Sequence, residues 1–184
     1  MKTRILLSGC SGKMGHAVSA LVEERDDCEI CAGIDLSSTG HEGYPVYSSV
    51  FEFPGEADVL IDFSHRSVLS SLLEYGKQHH LPLVLCTTGY SKEQTESVRA
   101  ASAEIPVFSS GNMSLGINLL IELSKKAAQV LGEGFDIEIV EMHHNQKIDA
   151  PSGTALMLAD AISEVEPQPM TYQYDRHSRR GKRE

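Results

Sequence analysis

The chain has 184 residues, 41% of them hydrophobic, and a formal charge of −10. That length suits one large domain or one domain plus a partial second, and the apolar share excludes an intrinsically disordered chain. The acidic balance argues against a nucleic-acid surface, and no apolar run approaches the roughly 20 residues of a membrane span.

The opening "MKTRILLSGC" begins like a signal peptide, but Ile5-Leu6-Leu7 is too short for its apolar core and runs into glycines. The expected address is therefore the cytoplasm. "TRILLSG" (3–9) reads as a buried strand. "MGHAVSALVEE" (14–24) follows as a helix with Met14, Val18, Leu21 and Val22 on one face. "CEICAGID" (28–35) and "ADVLIDFS" (57–64) are strands. "SVLSSLLEYGKQHH" (67–80) is a helix, "LPLVLCTT" (81–88) a strand. "SKEQTESVRAASAE" (91–104) is a helix capped by Ser91, and "IPVFSSG" (105–111) a strand. Strands alternating with helices predict an α/β unit: a parallel sheet with right-handed crossovers and helices on both faces.

From about residue 114 the rhythm changes. "SLGINLLIELSKKAAQVLG" (114–132) is a long helix whose expected buried side is Leu119, Leu120, Leu123, Ala127 and Val130. "FDIEIVEMHH" (135–144) alternates like a strand, and "SGTALMLADAISEV" (152–165) is a helix. One strand beside two helices leaves its backbone groups unpaired, so it needs ladder partners from elsewhere. The tail 175–184 carries five Lys/Arg against two Asp/Glu, which leaves the rest near −13, and reads as a solvated end.

The four cysteines are Cys10, Cys28, Cys31 and Cys86. Cys28 and Cys31 sit three apart on a strand, on opposite faces, and no second CxxC exists. Reduced core thiols are the reading, with no metal.

"GCSGKMG" after the first strand spaces Gly9, Gly12 and Gly15 as GxxGxxG between a strand and a helix. A tight turn alone could use three glycines. In this position they suit a sharp turn, close approach to a pyrophosphate and tight packing of helix on sheet, with the helix N-terminus facing the phosphates. Asp35 ends the next strand, where a carboxylate can bond both ribose hydroxyls of NAD; it can also be a plain loop carboxylate. Leu36, Ser37 and Ser38 follow with no arginine for a 2′-phosphate, so NADH is expected to serve at least as well as NADPH. Asp62-Phe63-Ser64 and Thr87-Thr88-Gly89 close two further strands and read equally as pocket lining or as turn formers.

"EMHHNQKIDAPSGTA" (141–155) concentrates the remaining chemistry. Glu141, His143 and His144 could hold a metal, although adjacent strand residues diverge. The histidines could be an ordinary surface pair. A third reading is a substrate site: Lys147 as a cation, Asp149 and Ala150 extended before Pro151, Ser152 capping a helix, and the Gly153 and Thr154 amides cradling a carboxylate. His143 or His144 then supplies a proton near neutral pH. A hydride site and an anion-gripping acid together suit reduction of a C=N or C=C bond in a carboxylated small molecule.

At these residues the sequence resembles the dihydrodipicolinate reductases (4-hydroxy-tetrahydrodipicolinate reductases) of lysine and diaminopimelate biosynthesis. The stretch 141–155 is similar to the family signature E-x-H-H-x-x-K-x-D-A-P-S-G-T-A, and "GCSGKMG", "IDFS", "CTTG" and "GNMSLGIN" follow the family's order. The resemblance implies a Rossmann-type dinucleotide-binding domain over 1–112 and an incomplete α+β substrate-binding and catalytic domain over 113–184. It implies NAD(P)H-dependent reduction of a cyclic dicarboxylate and a homotetramer in the full-length family. By position, His143 is the proton donor, with Lys147 as companion that binds substrate, and His144, Gly153 and Thr154 hold a substrate carboxylate. Gly9, Cys10, Ser11, Gly12, Lys13, Met14, Asp35, Cys86, Thr87, Thr88, Ser110, Gly111, Asn112 and Met113 contact the coenzyme, and Thr88 also touches substrate. In this family, hydride reaches the ring carbon while the histidine protonates its neighbour. Two departures stand out: Cys86 replaces the glycine that usually opens the CTTG segment, and family members run on past the point where this sequence stops. A shortened chain is expected to keep coenzyme binding better than turnover. The alternatives are a dinucleotide-binding remnant without turnover, or another Rossmann oxidoreductase acting on an imino or amino dicarboxylate.

Overall fold

The structure, a computed structural model, describes residues 1–36, 43–147, 150–168, 170–174 and 180–181. Ser37, Ser38, Asp149 and most of the basic tail lie outside the described residues. The chain forms two compact units, Met1–Gly111 and Asn112–Glu184.

In the first unit the elements run β1 (Thr3–Ser8), α1 (Lys13–Glu23), β2 (Cys28–Ile34), β3 (Val46–Tyr47), β4 (Val59–Asp62), α2 (Leu69–His79), β5 (Leu83–Leu85), α3 (Lys92–Ala101) and β6 (Val107–Ser109). All six strands are parallel, in the order β3-β2-β1-β4-β5-β6. This is the doubly wound Rossmann order, which reverses between β1 and β4 and opens a crevice beyond the strands' carboxyl ends. The two-residue β3 is too short to leave a period in the sequence and goes unforeseen.

Alternation along β1 builds the core on both sides of the sheet. Leu6 joins Leu60, Leu83 and Leu85 under Leu69, Leu72 and Leu73 of α2. Ile5, Leu7 and Cys10 face the other way and gather Val18 and Val22 of α1. Leu6, Leu7, Leu60 and Leu85 are fully buried, each contributing about 1.5–3 kcal/mol of transfer free energy. The β1–β2 register shifts between Ile5 and Leu6, where Cys31 is the extra residue. Its thiol donates to the Ile5 carbonyl at 3.2 Å, while Cys28 packs beside the Ile5–Leu7 cluster. All four cysteines are free thiols.

The α1 face differs from the expectation. Met14 and Leu21 are exposed, at 50% and 62%, and the helix buries Gly15 and Ser19 beside the half-buried Val18 and Val22. Positions 15, 18, 19 and 22 form the inner stripe, with two members too small or polar to register as apolar. The Ser19 hydroxyl donates to the Gly15 carbonyl at 2.9 Å and pairs with the Tyr44 hydroxyl at 2.8 Å. Ser91 does cap α3, in a reciprocal box with Gln94.

The second unit contains α4 (Leu115–Leu131) and α5 (Gly153–Ser163), which pack together around the buried Ala128, Ala155 and Ile162. Two expectations fail here. Leu119, Leu120, Leu123, Ala127 and Val130 of α4 are exposed, because α5 meets the helix along the Ala128 side. Residues 135–144 form no strand. No ladder partner lies beside them among the described residues, and Val140 and Met142 are about nine-tenths exposed, at 87% and 91%. An alternating pattern without an adjacent strand edge has no ladder to join. No helix among the described residues is long and apolar enough to cross a membrane.

Candidate active site

Within the first unit, every loop singled out in the sequence lies at the carboxyl end of a strand. Gly9 follows β1 with φ +78°, a conformation natural to glycine. A Cβ there would sit 2.7 Å from the Phe63 carbonyl and the Ser64 nitrogen. A Cβ on Gly15 would strike the Gly9 and Cys10 carbonyl oxygens. These glycines let the loop, the start of α1 and the turn after β4 close on one another. Gly12 caps α1 with no side-chain bond to the first-turn amides, so the positive end of the helix is left to an anion. Ser11 donates its backbone N–H to Asp35 Oδ2 at 3.1 Å, which draws the carboxylate after β2 against the glycine loop. The Cys10 thiol is buried, and burial pushes its pKa up.

Beyond β5, Cys86 is buried and its thiol is pushed up to about 11 by burial and by the Asp62 charge. It acts as a small core residue, and its backbone N–H donates to the Asp62 carbonyl at 2.9 Å. Thr87 is buried and its hydroxyl donates to Asp62 Oδ2 at 2.7 Å. Thr88 lies beside Gly111, where a Cβ would meet the threonine methyl at 3.2 Å. The Ser110 amide donates to the Leu85 carbonyl at 3.0 Å. Thus Gly9, Cys10, Ser11, Gly12, Lys13, Met14, Asp35, Cys86, Thr87, Thr88, Ser110 and Gly111 are all carried by one sheet edge and the loops that leave it. These residues fit a dinucleotide: a loop that only glycines can close, an uncapped helix start, and a carboxylate at the end of β2.

Asn112, Met113, His143, His144, Lys147, Gly153 and Thr154 belong to the second unit. Asn112 Oδ1 accepts from the Ser114 amide at 2.7 Å, and Ser114 caps α4. Met113 is exposed. The 141–155 stretch is organised by Glu141. Its Oε2 bonds His143 Nε2 at 2.8 Å, and its Oε1 accepts from the Ser152 amide at 2.8 Å. The Ser152 bond and then the His143 bond hold the Glu141 carboxyl at about 2. Ser152 caps α5 through the Ala155 amide at 3.1 Å, so Gly153 and Thr154 open the helix as the first-turn reading expects. His144 turns the chain: its Nδ1 accepts from the Gln146 amide at 3.2 Å and its carbonyl from the Lys147 amide at 3.3 Å. The His143 imidazole and the start of α5 are thereby fixed to one carboxylate.

Two residues make contacts here that the sequence reading does not foresee. Glu141 was weighed only as a metal ligand, yet residues two apart on an extended chain share a face, and that spacing puts it beside His143. Asp62 read as pocket lining or turn, and its burial has no signature in sequence. Among the described residues no three His, Cys, Asp or Glu side chains cluster to hold a metal.

Residues 3–113 match the family described as dihydrodipicolinate reductase, N-terminus, and residues 116–184 match dihydrodipicolinate reductase, C-terminus. The 4-hydroxy-tetrahydrodipicolinate reductase of Caldanaerobacter subterraneus subsp. tengcongensis is 51% identical, over 97% of this chain and 70% of its own length. That of Clostridium tetani is 48% identical, over 100% of this chain and 73% of its own length. The solved structure of a dipicolinate-bound dihydrodipicolinate reductase from Paenisporosarcina sp. TG-14 superposes with a TM-score of 0.74 at 27% identity. It covers 98% of this chain and 73% of that one.

Proposed function

The chain belongs to the dihydrodipicolinate reductase family of NAD(P)H-dependent oxidoreductases, and from that premise we propose how its residues divide the reduction of 4-hydroxy-tetrahydrodipicolinate to tetrahydrodipicolinate. The first unit holds the coenzyme. Gly9, Cys10, Ser11, Gly12, Lys13 and Met14 take the pyrophosphate on backbone amides and the start of α1. Asp35 takes the adenosine ribose, and Cys86, Thr87, Thr88, Ser110 and Gly111 take the nicotinamide end, together with Asn112 and Met113, the first residues of the second unit. The bound coenzyme supplies the hydride.

The second unit holds the substrate. His143 is the general acid that protonates the ring atom next to the carbon receiving hydride. Lys147 binds the substrate as its cationic partner, and His144 with the Gly153 and Thr154 amides receives a carboxylate. Thr88 also contacts substrate. The observation that carries this reading is Glu141, which anchors His143 with one oxygen and the Ser152 amide with the other. That arrangement gives a reaction needing one proton and one carboxylate grip a common support. NADH serves at least as well as NADPH because a carboxylate at Asp35 bonds ribose hydroxyls and repels a 2′-phosphate. The protein works in the cytoplasm, in lysine and diaminopimelate biosynthesis, as a homo-oligomer, tetrameric in the full-length family.

A second reading, coenzyme binding without turnover, draws support from the exposed apolar face of α4 and from the stretch 135–144, which forms no strand. The two separate in one experiment. NADH oxidation is followed on freshly generated dihydrodipicolinate, beside NADH binding by titration. Turnover supports the reductase; tight binding with no turnover supports the second reading, and absence of both removes the coenzyme site itself.

A further inference from the structure

Asp62, the last residue of β4, is 1% exposed although it carries a carboxylate. Burying such a group is costly unless its oxygens are satisfied. Here Oδ1 accepts from the Ser64 amide at 3.1 Å and from the Ser64 hydroxyl at 2.5 Å. Oδ2 accepts from the Thr87 hydroxyl at 2.7 Å, and that same hydroxyl lies 3.1 Å from the Ser64 carbonyl. One carboxylate therefore ties the loop after β4 to the loop after β5, past the point where ladder bonds can hold them. The tie reaches a third loop as well. Phe63 donates its amide to the Ser8 carbonyl at 2.9 Å, and the Phe63–Ser64 backbone lies where a side chain on Gly9 would be.

The strand order gives this tie its meaning. β4 and β5 lie on the opposite side of the reversal from β2 and Asp35. A dinucleotide across the crevice has its adenosine half over one set of strands and its other half over the second. We propose that Asp62 is a positioning residue for the nicotinamide half of the coenzyme site. It does not touch the ligand. It sets the backbone of Ser64 and Thr87 so that the loops after β4 and β5 present one continuous wall. A turn former in the same place would satisfy its own loop; Asp62 instead spends one oxygen on each of two loops. The inference rests on the coenzyme reading above.

The test compares two ligands that share the adenosine half. Wild type and Asp62→Asn are titrated calorimetrically with NADH and with ADP-ribose, which has no nicotinamide. The asparagine keeps the size, but its amide nitrogen cannot accept from Thr87 or Ser64. NADH affinity is expected to fall about tenfold, the scale of one hydrogen bond to a charged group, with ADP-ribose affinity held within about twofold. Unchanged NADH affinity, or equal losses for both ligands, overturns the proposal. A wild type that binds neither ligand overturns the coenzyme reading, and the inference with it. Should Asp62→Asn fail to fold by circular dichroism, Ser64→Ala removes one of the same bonds more gently. The NADH to ADP-ribose affinity ratio must then fall in the same direction, and an unchanged ratio rejects the proposal.

Discussion

Asp35 Oδ2 and the Ser11 backbone N–H are 3.1 Å apart, so the carboxylate that ends β2 is hydrogen-bonded to the glycine loop that ends β1. On the coenzyme reading proposed above, the same side chain stands at the border between pyrophosphate and ribose. Its charge should set the choice of coenzyme. Asp35→Asn is expected to lower the ratio of NADPH to NADH dissociation constants about tenfold, because a bond to a charged acceptor is exchanged for a neutral one and repulsion of a 2′-phosphate disappears. Fluorescence titration with both coenzymes checks this, and an unmoved ratio takes Asp35 away from the ribose.

Gly9 tests the closure of the loops. Alanine there meets both a left-handed backbone angle and the Phe63–Ser64 backbone. Left-handed strain costs about 1–2 kcal/mol and overpacking about 1–3 kcal/mol, so Gly9→Ala should destabilise the first unit by roughly 2–5 kcal/mol. Urea unfolding followed by circular dichroism measures the loss. A midpoint equal to wild type would mean the loop opens freely and is not held by the β4 turn.

His143→Gln separates chemistry from coenzyme binding. Loss of a general acid lowers turnover about 10²–10⁴-fold, while NADH affinity, which the proposed reading assigns chiefly to the first unit, stays the same. Steady-state rates with dihydrodipicolinate and a parallel NADH titration give both numbers. Equal turnover in variant and wild type removes His143 from proton donation.

The acid limb of stability should carry the mark of Glu141. Its carboxyl is held at about 2 in the folded chain against an ordinary 4.5. The folded state therefore binds fewer protons than the unfolded one. The contribution is complete above about pH 4.5 and fades as pH falls toward 2. Thermal midpoints of wild type and Glu141→Gln should differ at pH 7 and converge toward pH 2.5. A gap that stays constant with pH would show that the carboxylate charge is not what the Ser152 amide and His143 hold.

The parallel sheet was legible because its strands are short continuous apolar runs between clear turns, and because Leu6 and Leu7 need burial on opposite faces. Ser91 and Ser152 announced two helix starts by residue type alone. The α1 face was misread because Gly15 and Ser19 carry no hydrophobic signal, although close backbone approach selects them. In the second unit the apolar pattern of α4 and of 135–144 was read as burial. Periodicity tells which residues share a face; it does not tell whether anything covers that face. The site divides the same way. Local spacing reveals Ser152 and His143, whereas Asp62 and Thr87 meet across 25 residues of chain.

That the run from 135 to 144 joins no sheet has a kinetic counterpart. Backbone amides outside any ladder exchange with solvent deuterium at rates set by local chemistry, while those inside β1 and β4 wait for the sheet to open. In a time course resolved by mass spectrometry, peptides spanning 136–142 should take up label within seconds. Those spanning 4–8 should remain dark for hours, a contrast that protection of the first segment would contradict.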